Sequence, residues 1–177
     1  MAKEVHLQSN KPIVIKYNGI FDFDNLYKEM TDWFIDYGYT LEEPSVKHKV
    51  PSEIGAEQEF ELTGWKKITE YVKYWIHIYT VVRNMRDIEV VKDGVKKTMQ
   101  KGELLIEFYA HVETDYPGIV DSKFGEYLRD FWDNYLLKKD MDNVWTDQLW
   151  YIMYKLHTKV KETLGMETYP DPFREVW

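Results

Sequence analysis

The stretch from Glu103 to Asp115, ELLIEFYAHVETD, decides the fold class. Taken at a two-residue period, it sets Leu104, Ile106, Phe108, Ala110 and Val112 on one side of a strand and Glu103, Glu107, Tyr109, His111 and Glu113 on the other. Successive strand side chains point to opposite faces, so the pattern predicts a sheet with one dry face and one polar, aromatic face. Nothing else in the chain names a chemistry, and any site has to be argued from that second face.

Upstream, Tyr71 to Val82 is apolar on both sides, with Val72, Tyr74, Ile76, Ile78 and Val82 opposing Tyr71, Trp75, Tyr79 and Val81. That double pattern predicts a central strand covered on both faces. Between the two strands, IEVVKDGVKKTM carries Asp93-Gly94, a dipeptide suited to the positive backbone angles of a tight hairpin turn. Gly102 punctuates the return strand and Pro117-Gly118 ends it. Earlier in the chain Gln58, Phe60 and Leu62 alternate with Glu57, Glu59 and Glu61, giving a strand whose row of carboxylates reads as a solvated face. Residues 57–115 are therefore expected to form an antiparallel meander.

Toward the N-terminus, PIVIKY alternates Ile13, Ile15 and Tyr17 against Val14 and Lys16 and reads as a first strand beginning near Pro12. The following FDFDNLYKEMTDWFIDYGY has Phe23, Leu26, Tyr27, Met30, Phe34 and Tyr37 at helical spacing, Asp22 or Asp24 as N-cap and Gly38 as its stop. Leu41 to Gly55, with Pro44, Pro51 and a KHK cluster, is compatible with a loop, an edge strand or both. Beyond the meander, Phe124, Tyr127, Leu128, Phe131, Trp132, Tyr135 and Leu136 form one helical stripe, capped by Asp121 or Ser122. Val144, Trp145, Leu149, Ile152, Met153, Leu156, Val160 and Leu164 form another, stopped by Gly165. The short KKDMDN between them allows a helical hairpin or one bent helix. Residues 1–11 and 166–177 are expected to be irregular tails.

The length of 177 residues suits one domain spanning 1–177, and 44% hydrophobic with 31% charged residues is the composition of a folding, soluble chain. A formal charge of −8 argues against nucleic-acid binding through phosphate contacts, which needs clustered Lys and Arg. Without cysteine there is no disulfide, thiolate nucleophile or Cys-ligated zinc. The start, MAKEVHLQSNKP, lacks an apolar signal core, and no apolar run reaches the roughly 18 residues of a membrane span. The expectation is a cytoplasmic protein without membrane contact, a virion association being compatible with the same features.

The five histidines are His6, His48, His77, His111 and His157, and no pair has the spacing of a helical metal site. His77 falls on the Trp75 and Tyr79 side of its strand, His111 on the Glu107, Tyr109 and Glu113 side of another. If the Asp93-Gly94 hairpin pairs these strands, two imidazoles, two phenols and two carboxylates converge, as a hard-cation site, an acid/base pair, or simply a hydrogen-bonded sheet surface. No glycine-rich phosphate loop, nucleophile elbow or dinucleotide fingerprint is present, and no cofactor is implied. Asp22 and Asp24 resemble acidic phosphoryl-transfer pairs superficially, and N-capping explains them more economically. Aromatic content is high, at 16% with seven Trp and fourteen Tyr. Trp33, Trp75, Trp132, Trp145, Trp150 and Trp177 with most tyrosines exceed what one core of this size readily holds, which suits a self-association or partner surface and equally amphipathic tyrosines half-exposed without function.

The segments YNGIFDFDNLYKEM, VKHKVPSEIGAEQE, IEVVKDGVKK and YKLHTKVKE resemble a family of small uncharacterised proteins from archaeal genomes or archaeal viruses, over about Ile13 to Met166. The resemblance implies a single domain and carries over no activity, cofactor or functional residue.

Together these features predict an α+β fold: an antiparallel meander with one N-terminal helix and a C-terminal helical pair packed on one face. That arrangement also resembles the helix-grip domains of lipid-transfer and cyclase-like proteins, an analogy that does not give function. The leading expectation is a non-enzymatic structural or assembly protein that self-associates or joins a larger complex. The alternative is a small-ligand-binding domain whose pocket between sheet and helices is lined by Trp75, His77, Tyr79, Tyr109 and His111. A metal-dependent hydrolase using His77, His111 and Glu107 is a third reading.

Overall fold

A computed structural model describes residues 3–6, 12–42, 45–52, 55–92, 95–114 and 144–166. Among these residues seven strands make one antiparallel sheet: β1 (Lys3–His6), β2 (Ile13–Phe21), β3 (Thr40–Leu41), β4 (Ser45–Ser52), β5 (Gly55–Lys67), β6 (Val72–Lys92) and β7 (Val95–Thr114). The expected meander is its centre, β5–β6–β7. On the outer edge of β7, β1 and β2 lie end to end, and β3 and β4 do the same on the outer edge of β5. Two described helices, α1 (Phe23–Asp36) and α2 (Thr146–Thr163), complete an α+β architecture.

The hairpin joining β6 to β7 has the predicted register: Lys92 pairs with Val95, leaving the two residues Asp93-Gly94 for the turn, which lie outside the described residues. Of the region 41–55, for which the sequence allows a loop or an edge strand, Thr40–Leu41 and Ser45–Ser52 are edge strands, and residues 43–44 and 53–54 lie outside the described residues. Lys47 is the register partner of Glu59 and Lys49 that of Glu57. The N-terminal tail expectation fails in part, since Lys3–His6 pairs with His111–Thr114 of β7. Four residues are too short to show a period, and β7 supplies the hydrogen-bonding edge that makes them a strand.

The helix α1 starts where the sequence places it. Asp22 is the N-cap, its carboxylate accepting from the Asn25 amide at 3.1 Å, and the chain leaves the helix through Gly38 at φ 71°. Lys66 closes the far end by donating to the Tyr37 carbonyl at 2.8 Å. Leu26, Met30, Trp33 and Phe34 are buried, each contributing on the order of 1.5–3 kcal/mol by leaving water. On α2, Leu149, Met153, Leu156 and Val160 form the matching stripe, and Gly165 at φ 66° ends it. Both stripes close on the dry face of the sheet, against Phe60, Leu62, Tyr74, Ile76, Ile78, Ile106, Phe108 and Val112. Lys159 and Glu29 tie the two helices at 2.9 Å.

This core absorbs more of the aromatic surplus than composition suggested. Trp33, Tyr39 and Tyr74 are buried, and Tyr17, Tyr27, Tyr37, Tyr71, Trp145 and Trp150 pack against the core from its rim. The predicted helix around Phe124 to Leu136, the break at Pro117-Gly118, Trp132, Trp177 and the C-terminal tail beyond Met166 lie outside the described residues. Where both faces of β6 were expected to be covered, the described helices cover only the dry one.

Candidate functional site

Antiparallel register turns the second face into a grid. Trp65 of β5, Trp75 of β6 and His111 of β7 occupy one row, and β1 places His6 opposite His111. The next row holds Thr63, His77 and Tyr109, and the next Glu61, Tyr79 and Glu107. Trp75, His77, Tyr79, Tyr109 and His111 are thus brought onto one face, as the alternation in β6 and β7 requires.

Their side chains are half-buried, and Trp75, His77 and His111 stack. The rings of His77 and His111 lie 5.3 Å apart and 13° from parallel, and Trp75 stacks on both, 6.1 Å from His77 and 5.9 Å from His111. Trp65 extends the cluster 6.4 Å from Trp75. Around the rings the polar heads are spoken for. The Trp75 indole N–H donates to Glu113 at 2.6 Å, and the Tyr109 hydroxyl donates to Glu107 at 2.8 Å. The Glu107 carboxylate holds the Tyr109 phenol above its ordinary pKa, with burial and the Glu107 charge acting in the same direction. Lys73 pairs with Glu113 at 3.2 Å and sits over the Trp65 and Trp75 rings at 5.2 and 5.1 Å.

Two details bear on chemistry. Thr63 Oγ1 lies 3.0 Å from His77 Nδ1, and Glu61 lies 3.9 Å from that same nitrogen. A hydroxyl–imidazole–carboxylate relay needs its nucleophile and its acid on opposite ring nitrogens, so this trio is not built as one. Parallel imidazoles, whose lone pairs lie in the ring planes, also do not aim two nitrogens at a point between them. Among the described residues no three His, Asp or Glu side chains gather as a cation site.

The expected pocket between sheet and helices is not formed with the two described helices, and the predicted helix around Phe124 to Leu136 lies outside the described residues. Trp75, His77, Tyr79, Tyr109 and His111 all face away from the side on which α1 and α2 pack, because their even-spaced neighbours Tyr74, Ile76, Ile78, Phe108 and Ala110 take the helix side. Sequence reasoning also missed Trp65, Thr63 and Glu61. They share the alternation of Phe60, Leu62 and Gly64 in β5, and only the β5–β6 register reveals that they adjoin Trp75, His77 and Tyr79.

No protein-family model and no curated protein sequence matches the chain. Among solved structures, an uncharacterised protein from Rhizobium leguminosarum aligns over 92% of this chain and 99% of its own, at 11% identity and a TM-score of 0.23.

Proposed function

We propose that the chain is a non-enzymatic assembly protein that uses the aromatic–imidazole face of its sheet to associate with itself or with a larger complex. The observation that carries this reading is the contiguous stack of Trp65, Trp75, His77 and His111, half-buried on a sheet face rather than sunk in the core. Aromatic clusters of this kind, ringed by charged pairs such as Lys73 with Glu113, are the usual energetic centres of protein interfaces. Polar heads already bonded to neighbours on the same face suit recognition better than proton transfer, for which a group has to be available to substrate.

Light scattering on the native protein across a concentration range tests the proposal. A mass above the 21.4 kDa of one chain, falling toward it in Trp75→Ala and Trp65→Ala, is expected. A strict monomer at every concentration that also captures no partner complex would sink it. A second reading, a small-ligand surface made by Trp75, His77, Tyr79, Tyr109 and His111, is favoured by the adjacency of those five residues in the register. It predicts a monomer whose tryptophan fluorescence responds to a planar aromatic ligand, with the response lost in Trp75→Ala.

A further inference from the structure

Lower on the same face, away from the ring stack, β6 carries a bulge. Its pairing with β7 shifts between Arg83 and Arg86, and its pairing with β5 shifts opposite Ala56. Asn84 occupies the left-handed region at φ 54°, a conformation Asn tolerates better than most residues. Both flanking strands make room with glycine. A Cβ on Gly55 would lie 2.6 Å from the Asn84 backbone, and one on Gly102 would lie 2.8 Å from the Arg83 carbonyl oxygen. Bulges bend the strand and redirect its side chains, and this one borders an open trough of about 370 Å³.

The trough has an apolar floor and cationic sides. Val81 and Leu105 are cross-strand partners, Val81 being only 4% exposed, while Lys16 stands opposite Leu105 from the outer side. In the adjoining row Glu103 lies between Asn18 and Arg83. Among the described residues the Lys16 side chain has no hydrogen bond or ion pair. Arg83 meets Glu57 only through Nε, at 3.6 Å, with its side chain 60% exposed, so its terminal nitrogens are available. Glu103 accepts a long bond from Asn84 at 3.4 Å. The two cations stand two strands apart, about 10 Å sideways and about 7 Å along the strands. That is within the combined reach of their flexible side chains across the apolar floor.

We propose that this trough binds an aliphatic carboxylate of medium chain length. The carboxylate accepts hydrogen bonds from Lys16 and the Arg83 guanidinium, and the chain lies on Val81 and Leu105. Charge complementarity selects this occupant: uncommitted donors are cationic, while the acidic side chain in the trough is held by a neighbour. The site is independent of the assembly reading and uses different residues.

Titration of the native protein with sodium octanoate, followed by amide NMR, tests the assignment, with octanol and octylammonium as probes of equal chain length and different charge. Saturable shifts centred on residues 16–18, 81–84 and 103–105 with octanoate are expected. Lys16→Gln and Arg83→Gln should each weaken binding by about 2- to 5-fold, as exposed ion pairs do, and added salt should weaken it further. Glu103→Gln should strengthen it. Equal binding of octanol or octylammonium, shifts centred elsewhere, or unchanged affinity in both cation variants would overturn the proposal. These exposed residues lie outside the core, so folding of the variants is not at issue, and dispersed amide spectra verify it.

Discussion

Gly64 of β5 and Phe34 of α1 are in direct contact: a Cβ on Gly64 would lie 2.6 Å from the ring of Phe34, which is fully buried. The helix approaches the sheet this closely because one strand position has no side chain. Gly64→Ala is therefore expected to destabilise the fold by about 1–3 kcal/mol through overpacking. Adding Phe34→Leu to Gly64→Ala should recover part of the loss. Urea unfolding midpoints of the single and double variants check this, and strictly additive losses would mean the two positions do not share the space.

Asp22 closes the N-terminus of α1 and also bonds Lys97 of β7, so it joins helix to sheet. Asp22→Ala should cost about 0.5–2 kcal/mol as a lost cap, and Asp22→Asn should retain most of the cap while losing the ion pair. Partial desolvation raises the Asp22 pKa, but the bonds from Lys97 and Asn25 outweigh it and the net shift is downward. The unfolded state then takes up its proton first. The stability Asp22 contributes is present above its unfolded value of 3.8 and is lost as pH falls through the lower folded value. The acid limb of the unfolding profile should be less steep in Asp22→Asn.

His157 of α2 packs edge-on against Phe108, and its Nδ1 is buried without a hydrogen-bond partner. Burial, aided by the nearby Lys161 charge, pushes its pKa down to about 4 from 6.5. A base whose folded pKa is depressed keeps its full contribution above pH 6.5, and stability falls as the unfolded chain protonates between 6.5 and 4. Thermal midpoints at pH 7.5, 5.5 and 4.5 should fall in steps, and His157→Phe should flatten that slope. An unchanged slope in a folded His157→Phe protein would place the acid sensitivity elsewhere.

Two buried tyrosines make a matched pair. The Tyr74 hydroxyl donates to Gln148 at 3.1 Å, while the Tyr39 hydroxyl is buried with no hydrogen-bond partner. Tyr39→Phe should be neutral or stabilising by up to about 1 kcal/mol, and Tyr74→Phe should cost about 1 kcal/mol and orphan Gln148. Burial pushes both phenols upward, with the neighbouring Tyr74 adding to the shift of Tyr39, so ionisation in the unfolded state should make the protein alkali-sensitive above pH 10. Chemical denaturation at neutral pH and at pH 11 separates the two effects.

Much of this architecture is legible in periodicity because periodicity is what burial on one face writes into a chain. The alternation of Leu104 to Val112, the helical spacing of Leu26 to Phe34 and the stops at Gly38 and Gly165 all report local geometry. The sharing of one face by His77 and His111 does not: continuing the Lys92–Val95 register would put them on opposite faces, and the shift between Arg83 and Arg86 brings them together. What is not local is not legible. The register that pairs Lys47 with Glu59, the recruitment of Lys3–His6 to β7, and the side of the sheet chosen by α2 depend on pairings between distant segments. Alternation separates two faces but does not say which of them a helix will cover, and α1 and α2 cover the one opposite Trp75 and His77.

The edge shared by β1 and β2 has a consequence for synthesis. Ile13 through Phe21 pair with residues 108 down to 100, and Lys3 pairs with Thr114. A chain emerging from the ribosome therefore exposes its first two strands long before their template exists, and the β5–β6–β7 meander must form first. Translation order and folding order run in opposite directions for β1 and β2, which makes them the strands most in need of shielding until β7 is released.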